Sequence, residues 1–228
     1  MRKKIVSLLH KSIFGLRKSI VGKELINPGF IDWHSHILPG VDDGVQTIED
    51  ALSILQRYEE LGVSEVWLTP HIMEDIPNTT DELRQKFTEL QSVYTGHIQL
   101  HLGAENMLDH LFDERLAQND LLPIGDNSLL VETSYFNPPI SLYETLRQIK
   151  SRGYISILAH PERYMYMDEE DYYRLKEEGV KFQLNLFSLE GLYGQYVCEK
   201  AKWLKRKEFY DCIGTDIHNK QIIKQFLK

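Results

Sequence analysis

The sequence is poor in cysteine: Cys198 and Cys212 are the only two in 228 residues. Two thiols cannot build a disulfide framework, and their spacing is not that of a zinc finger. A cysteine-dependent phosphatase is excluded as well. Such an enzyme needs an arginine six positions after the nucleophile, and here those positions hold Leu204 and His218. Long apolar runs are missing too, none approaching the roughly 18 residues of a membrane span. The N-terminus opens like a secretory signal, with Arg2-Lys3-Lys4 before Ile5-Val6-Ser7-Leu8-Leu9, but His10 and Lys11 interrupt it at once. No small-residue cleavage site follows, so a cytoplasmic protein with reduced thiols is expected. Low-complexity segments and residue-level repeats are absent.

Basic charge is outnumbered by acidic charge outside the first residues. The net charge is −8, yet residues 1–24 hold seven Lys/Arg against Glu24 alone, so the rest of the chain carries all the acidic excess. An acidic body argues against nucleic acid as a partner. The leader can be drawn as an amphipathic helix with Ile5, Leu8, Leu9, Ile13, Leu16 and Ile20 on one face. Its functional reading is weak contact with a membrane surface or a partner. Its structural reading is a helix packed on the outside of the body.

From Phe30 onward the chain repeats a short β-rich run, a polar break and a segment of helical period. Strands are predicted at 30–34, 63–69, 98–105, 128–133, 154–160, 180–186 and 210–216. Helices are predicted at 47–61, 81–94, 108–118, 141–151, 169–178 and 191–206, with a short one at 220–227. In the first helix Ile48, Ala51, Leu52, Leu55 and Tyr58 follow i, i+3, i+4 spacing behind the capping pair Thr47 and Asp50. Alternating strands and helices imply right-handed βαβ units and a parallel sheet. Seven units without a linker favour a closed or nearly closed α/β barrel spanning residues 30–228 behind a basic extension, 1–29. A doubly wound open sheet is the alternative.

The strand ends carry the chemistry. The first delivers His34 and His36, two residues apart on extended chain and so on one side, followed by Asp42 and Asp43 in a glycine-flanked loop. Later strand ends deliver His71, Glu105, Glu132, His160, and then Asp216 with His218. A single strand-end histidine is ordinarily a hydrogen-bonded structural residue, and a single glutamate usually pairs with a base. The whole set at one end of a barrel is different, because buried acids without bases repel one another unless cations lie among them. Imidazole and carboxylate without thiolate suit Mn²⁺, Fe²⁺ or Zn²⁺ better than Ca²⁺. His34, His36, Asp43, His71, Glu105, Glu132, His160, Asp216 and His218 are too many ligands for one ion and enough for three. Clustered divalent ions suit phosphoester hydrolysis. Arg163, three residues past His160, can hold a phosphate oxygen in a two-pronged bond or pair with Glu162 or another site acid.

The ordered motifs HSH…DDG, PH, GAE, VET, AHPERY and TDIH, across residues 30–219, resemble the PHP (polymerase and histidinol phosphatase) superfamily. Within it, the run His34–Gly44 is similar to bacterial protein-tyrosine phosphatases of capsule and exopolysaccharide loci. The resemblance implies a distorted (β/α)₇ TIM-like barrel with three divalent ions, Mn²⁺ first, held by the nine residues above. It implies phosphate binding by Arg163, with Asp43 and His71 also catalytic, and hydrolysis of phosphotyrosine by metal-activated hydroxide. The implied substrate is a membrane-associated tyrosine autokinase controlling polysaccharide export; self-association is compatible with the sequence. Family members commonly carry a second arginine after the last histidine, where this chain offers only Lys220 and Lys224. The alternatives are a phosphatase of a small phosphomonoester such as histidinol phosphate, and a weakly active metal-binding regulatory barrel.

Overall fold

The computed structural model describes residues 26–226, so the amphipathic helix expected in the leader lies outside the described residues. In chain order the elements are β1 (Ile31–Ser35), α1 (Ile48–Glu60), β2 (Glu65–Leu68), β3 (His71–Ile72), α2 (Thr80–Val93), β4 (Gln99–Leu102) and β5 (Glu105–Met107). There follow α3 (His110–Gln118), β6 (Ser128–Glu132), α4 (Leu142–Ser151), β7 (Ile155–Ala159), α5 (Glu169–Glu177), β8 (Lys181–Asn185), α6 (Gln195–Arg206), β9 (Cys212–Gly214) and α7 (Lys220–Phe226). Single turns of 3₁₀ helix follow β7 at Pro161–Arg163 and β8 at Leu186–Glu190. Among the described residues no helix is long and apolar enough to cross a membrane.

The helices begin where local chemistry starts them. Thr47 accepts a hydrogen bond from Asp50 N ahead of α1, and Thr79 and Glu82 form a reciprocal capping box ahead of α2. Asp168 and Asp171 do the same for α5. The apolar stripe of α1, Ala51, Ile54, Leu55 and Tyr58, is buried, as its spacing requires.

All strand pairs are parallel, in sheets ordered β1-β2-β4 and β3-β5-β6-β7-β8-β9. The second and third expected strands are each broken in two. Pro70 interrupts the second, because proline offers no N–H to a ladder; Gly103 and Ala104 interrupt the third. His71 and Glu105 therefore open new strands rather than close old ones. The register is unchanged across the break: Leu68 faces Leu102 and His71 faces Glu105 at the same offset. Gly103 N donates to Leu68 O (2.9 Å) and Glu105 N to Pro70 O (3.0 Å), which carries the pairing across the break. At the far edge Asp216 N donates to His34 O (2.7 Å) and His36 N to Ile217 O (3.0 Å), joining the end of β9 to the end of β1.

Two apolar clusters result. The larger holds most of the buried side chains of the helices with the sheet faces they cover. The smaller lies between the sheets and includes Ile31, Trp33 and Trp67 from one with Leu130, Ile157, Ala159 and Cys212 from the other. Trp33 and Trp67 stack there at 5.9 Å. Both cysteines are buried and free.

Candidate metal centre

The ends of β1, β6, β7 and β9, the segments just beyond them, and the first residues of β3 and β5 bring the nine candidate residues into one connected cluster. Its innermost group is His34, His36, Glu105 and Asp216, all fully or almost fully buried. His34 Nε2 lies 3.0 Å from His36 Nε2, 3.1 Å from Glu105 Oε2 and 3.4 Å from Asp216 Oδ1. His36 Nε2 lies 3.2 Å from Glu105 Oε2 and 3.3 Å from Asp216 Oδ1. A second group is His71, Glu105 and Glu132, with His71 Nδ1 at 3.2 and 3.0 Å from the two carboxylates. His160 Nε2 adjoins it, 3.0 Å from Glu105 Oε1. The third, nearest solvent, is His36, Asp43, His71 and His218, in which Asp43 Oδ1 is 3.6 Å from His71 Nε2 and 3.4 Å from His218 Nε2.

The tautomers of the innermost pair follow from their other nitrogens. Gln183 Oε1 accepts from His160 N (3.1 Å), which identifies that atom as oxygen, and it also faces His34 Nδ1 at 2.9 Å. His34 therefore donates through Nδ1. His36 Nδ1 donates to Asp42 Oδ2 at 2.8 Å. With both rings neutral, the two Nε2 atoms present lone pairs to each other and to two carboxylate oxygens. Four acceptors converge with no donor among them, an arrangement a cation stabilises. A tetrahedral ion with bonds of about 2.0–2.1 Å holds its ligand atoms roughly 3.3 Å apart, which the 3.0–3.4 Å separations match. His71 Nδ1 and Glu132 Oε1 are buried without a hydrogen-bond partner despite their closeness, as is His160 Nδ1. The donor set fits divalent ions.

Electrostatics points the same way. Burial pulls His34 down, but Glu105 and Asp216 overcome it and push the imidazole up to about 9. His36 is likewise raised against its own burial, chiefly by Asp42. Glu105 and Asp216 are held well below the usual carboxylate range despite burial, first by His34. His218 holds Asp43 down to about 2. The cluster favours positive charge at the imidazoles and negative charge at the acids, which a metal ion satisfies in place of protons.

Two of the nine residues sit in the left-handed region, His160 at φ 33° and Asp216 at φ 53°. Non-glycine residues there are strained, and such strain gathers at functional sites. Asp216 is steadied by Asn185 Nδ2 at 2.8 Å, and Arg163 Nη1 lies 2.8 Å from the same Oδ2. Arg163 thus pairs with a site acid, while Glu162 turns away to accept from Asn185 N (3.0 Å) and Tyr210 OH (2.9 Å). The guanidinium lies between two rings, 4.4 Å from Tyr135 and 4.3 Å from Tyr193. Lys220 does not take the place of a second arginine in the described site. Lys220 Nζ is 2.6 Å from Asp50 Oδ1 on α1, and the side chain of Lys224 lies outside the described residues.

Sequence reasoning missed the residues that orient this cluster. Asp42 appears in the motif, but only the fold shows it holding His36 Nδ1, His71 N (3.0 Å) and Gly44 N (2.9 Å). Gln183, Asn185, Tyr135 and Tyr193 carry no local signal. Asp32, immediately before Trp33 in the first motif, accepts from Thr215 N (2.8 Å), Thr215 Oγ1 (2.7 Å) and Tyr58 OH (3.0 Å). Burial pushes Asp32 up to about 6 against those bonds. It ties α1 and the end of β9 to β1 beside His34.

An α/β chain of parallel strands with a cluster of imidazoles and carboxylates at its strand ends defines a candidate metallohydrolase. A family model described as capsular polysaccharide synthesis, CpsB/CapC, matches residues 30–224, and the chain belongs to that family. It is 27% identical over 196 residues to the tyrosine-protein phosphatase YwqE of Bacillus subtilis (strain 168), covering 83% of this chain and 77% of the relative. It is 25% identical over 203 residues to the tyrosine-protein phosphatase CpsB of Streptococcus pneumoniae, covering 83% of each. A solved structure from work on YwqE and CpsB, described as unique metal-dependent tyrosine phosphatases, superposes with a TM-score of 0.77 at 25% identity, covering 83% of this chain and 80% of the other.

Proposed function

We propose that this chain is a metal-dependent tyrosine-protein phosphatase of capsule or exopolysaccharide synthesis. The observation that carries the reading is the convergence of His34, His36, Glu105 and Asp216 with Arg163 against them, in a chain of the family that includes YwqE and CpsB. Those relatives support phosphotyrosine over a small phosphomonoester as substrate.

The three ligand groups support three divalent ions, with Glu105 shared between the first two and His36 and His71 lying between groups. The mixed nitrogen and oxygen donors suit Mn²⁺, Fe²⁺ and Zn²⁺, and the family resemblance puts Mn²⁺ first. When bound, such ions supply Lewis acidity and a water acidic enough to serve as nucleophile near neutral pH. The protein's own contribution is positional. Gln183 and Asp42 fix the tautomers of His34 and His36, as partners of ligating histidines ordinarily do. Arg163, stiffened between Tyr135 and Tyr193, offers its remaining N–H groups to phosphate oxygens. Asp43 and His71 stand at the open side, where Asp43 is two-thirds exposed and substrate enters.

The hydrogen bonds that join the sheets, and the apolar cluster between them, support a distorted (β/α)₇ barrel over residues 30–228. Residues 1–29 are then a basic extension outside the catalytic unit. The family assignment favours a cytoplasmic protein whose substrate is the phosphorylated tail of a membrane-associated tyrosine autokinase. The test is elemental analysis of the purified chain together with hydrolysis of a phosphotyrosine peptide in added Mn²⁺. Two to three ions per chain and chelator-sensitive turnover are expected; bound metal without turnover would overturn the phosphatase assignment, and no metal would overturn the site.

A further inference from the structure

Three consecutive loops meet at Arg163. The loop after β6 supplies Tyr135, the turn after β7 supplies Arg163 itself, and the loop after β8 supplies Tyr193. The first two are tied by Met165 N donating to Tyr135 O at 2.7 Å. The second is anchored from behind by Lys200 Nζ, which donates to Tyr164 O (2.7 Å) and Met167 O (3.0 Å). Pro138 and Pro139 restrict the backbone of the first. The site is therefore edged by loops held in place.

These same two loops carry three large apolar side chains left in water. Phe136 is 72% exposed, Met165 47%, and Ile140 fully exposed. Phe136 follows Tyr135 directly, and Met165 lies two residues past Arg163. The bond from Met165 N to Tyr135 O brings Met165 beside Phe136, and contiguous exposed apolar surface next to a functional site marks a binding surface. The ligand cluster beneath is deep: His34 and Glu105 have no exposed surface, and the Arg163 side chain is only 18% exposed. A small phosphomonoester would sink to that level and leave the rim in water. A phosphotyrosine within a peptide reaches down with its long side chain while its neighbours in sequence stay at the height of the rim.

We propose that Phe136, Ile140 and Met165 form a rim that receives the apolar residues flanking a phosphotyrosine, with the phosphate beside Arg163. The proposal rests on the tyrosine-phosphatase reading and adds the surface that selects a peptide. Tyr135 links the two levels, since its ring lies over the guanidinium and its carbonyl holds the rim residue Met165.

The test uses the full chain loaded with Mn²⁺, as the Phe136→Ser/Ile140→Ser double variant and as Met165→Ser. Hydrolysis of a phosphotyrosine peptide with apolar neighbours is compared with that of p-nitrophenyl phosphate. The ratio of the two kcat/KM values is expected to fall by about tenfold, mainly through KM for the peptide. Binding of a peptide with a non-hydrolysable phosphonate in place of the phosphate, followed by fluorescence anisotropy, should weaken by about the same factor. Wild-type hydrolysis of the peptide with an unchanged ratio in both variants overturns the rim and leaves the phosphatase assignment intact. A wild-type chain that binds metal but cleaves no phosphotyrosine peptide overturns the phosphatase assignment and the rim with it. A wild-type dimer that becomes a monomer in the variants assigns the patch to self-association and overturns the proposal.

Discussion

His34 and His36 face each other through Nε2 atoms 3.0 Å apart, because Gln183 Oε1 and Asp42 Oδ2 occupy their Nδ1 hydrogens. Two imidazoles in that relation repel unless a cation stands between them and the acids Glu105 and Asp216. His34→Ala and Asp216→Ala should therefore each lose bound metal and turnover together. Elemental analysis and phosphotyrosine hydrolysis on the same preparations check this, and full activity in either variant would show that the centre lies elsewhere.

The orienting partners make a separate, graded prediction. Gln183→Leu and Asp42→Asn leave every proposed ligand in place but release one imidazole each. Metal affinity should weaken by about 10–100-fold, the usual effect of losing such a partner. Calorimetric titration of the metal-free chain with Mn²⁺ reads it, and an unchanged Kd in both variants would show the tautomers are set by other groups.

Arg163 should behave differently from the ligands. It contacts Asp216 and lies against two tyrosine rings, and in the proposed function it binds phosphate rather than metal. Arg163→Ala should lower kcat/KM by about 10²–10³-fold, the range for removing a donor to developing charge, with metal content near wild type. Arg163→Lys should rescue little, since an ammonium lacks the planar fork. Loss of metal in Arg163→Ala would assign the residue to holding Asp216.

Metal binding should release protons. In the metal-free chain His34 is raised to about 9, so it is protonated at pH 8 and must give up that proton to a metal. Apparent affinity should rise as pH increases toward about 9, as the competing proton on His34 is lost. Titration in two buffers of different ionisation enthalpy at pH 8 measures the released proton, and affinity that stays constant between pH 7 and pH 9 would contradict the assignment.

Gly214 offers a test of close approach. It packs β9 against β1 so tightly that an added methyl would collide with His34 Cβ and lie 2.7 Å from His34 N. Gly214→Ala should destabilise the fold by about 1–3 kcal/mol, the usual cost of overpacking, and should weaken metal binding by displacing His34. Thermal unfolding of the metal-free chain checks the first effect and metal titration the second.

Much of this molecule was legible along the chain. The His-x-His spacing puts two imidazoles on one side of an extended segment wherever that segment sits. Thr47, Thr79 and Asp168 start their helices through bonds reaching only two or three residues ahead. Alternation of strand and helix sets the order of the ligand-bearing segments, and each expected strand has a counterpart, the second and third broken in two. Local interactions decide those features, so local sequence reports them. Other features depend on partners far away in the chain. The breaks that make His71 and Glu105 the first residues of new strands keep their register through bonds between neighbouring strands. Gln183 orients His34 from 149 residues away, and Asn185 steadies Asp216 from another strand end. Which acid serves which imidazole, and which rings enclose Arg163, follow from how the sheets come together, because only that packing brings groups remote in sequence within bonding distance.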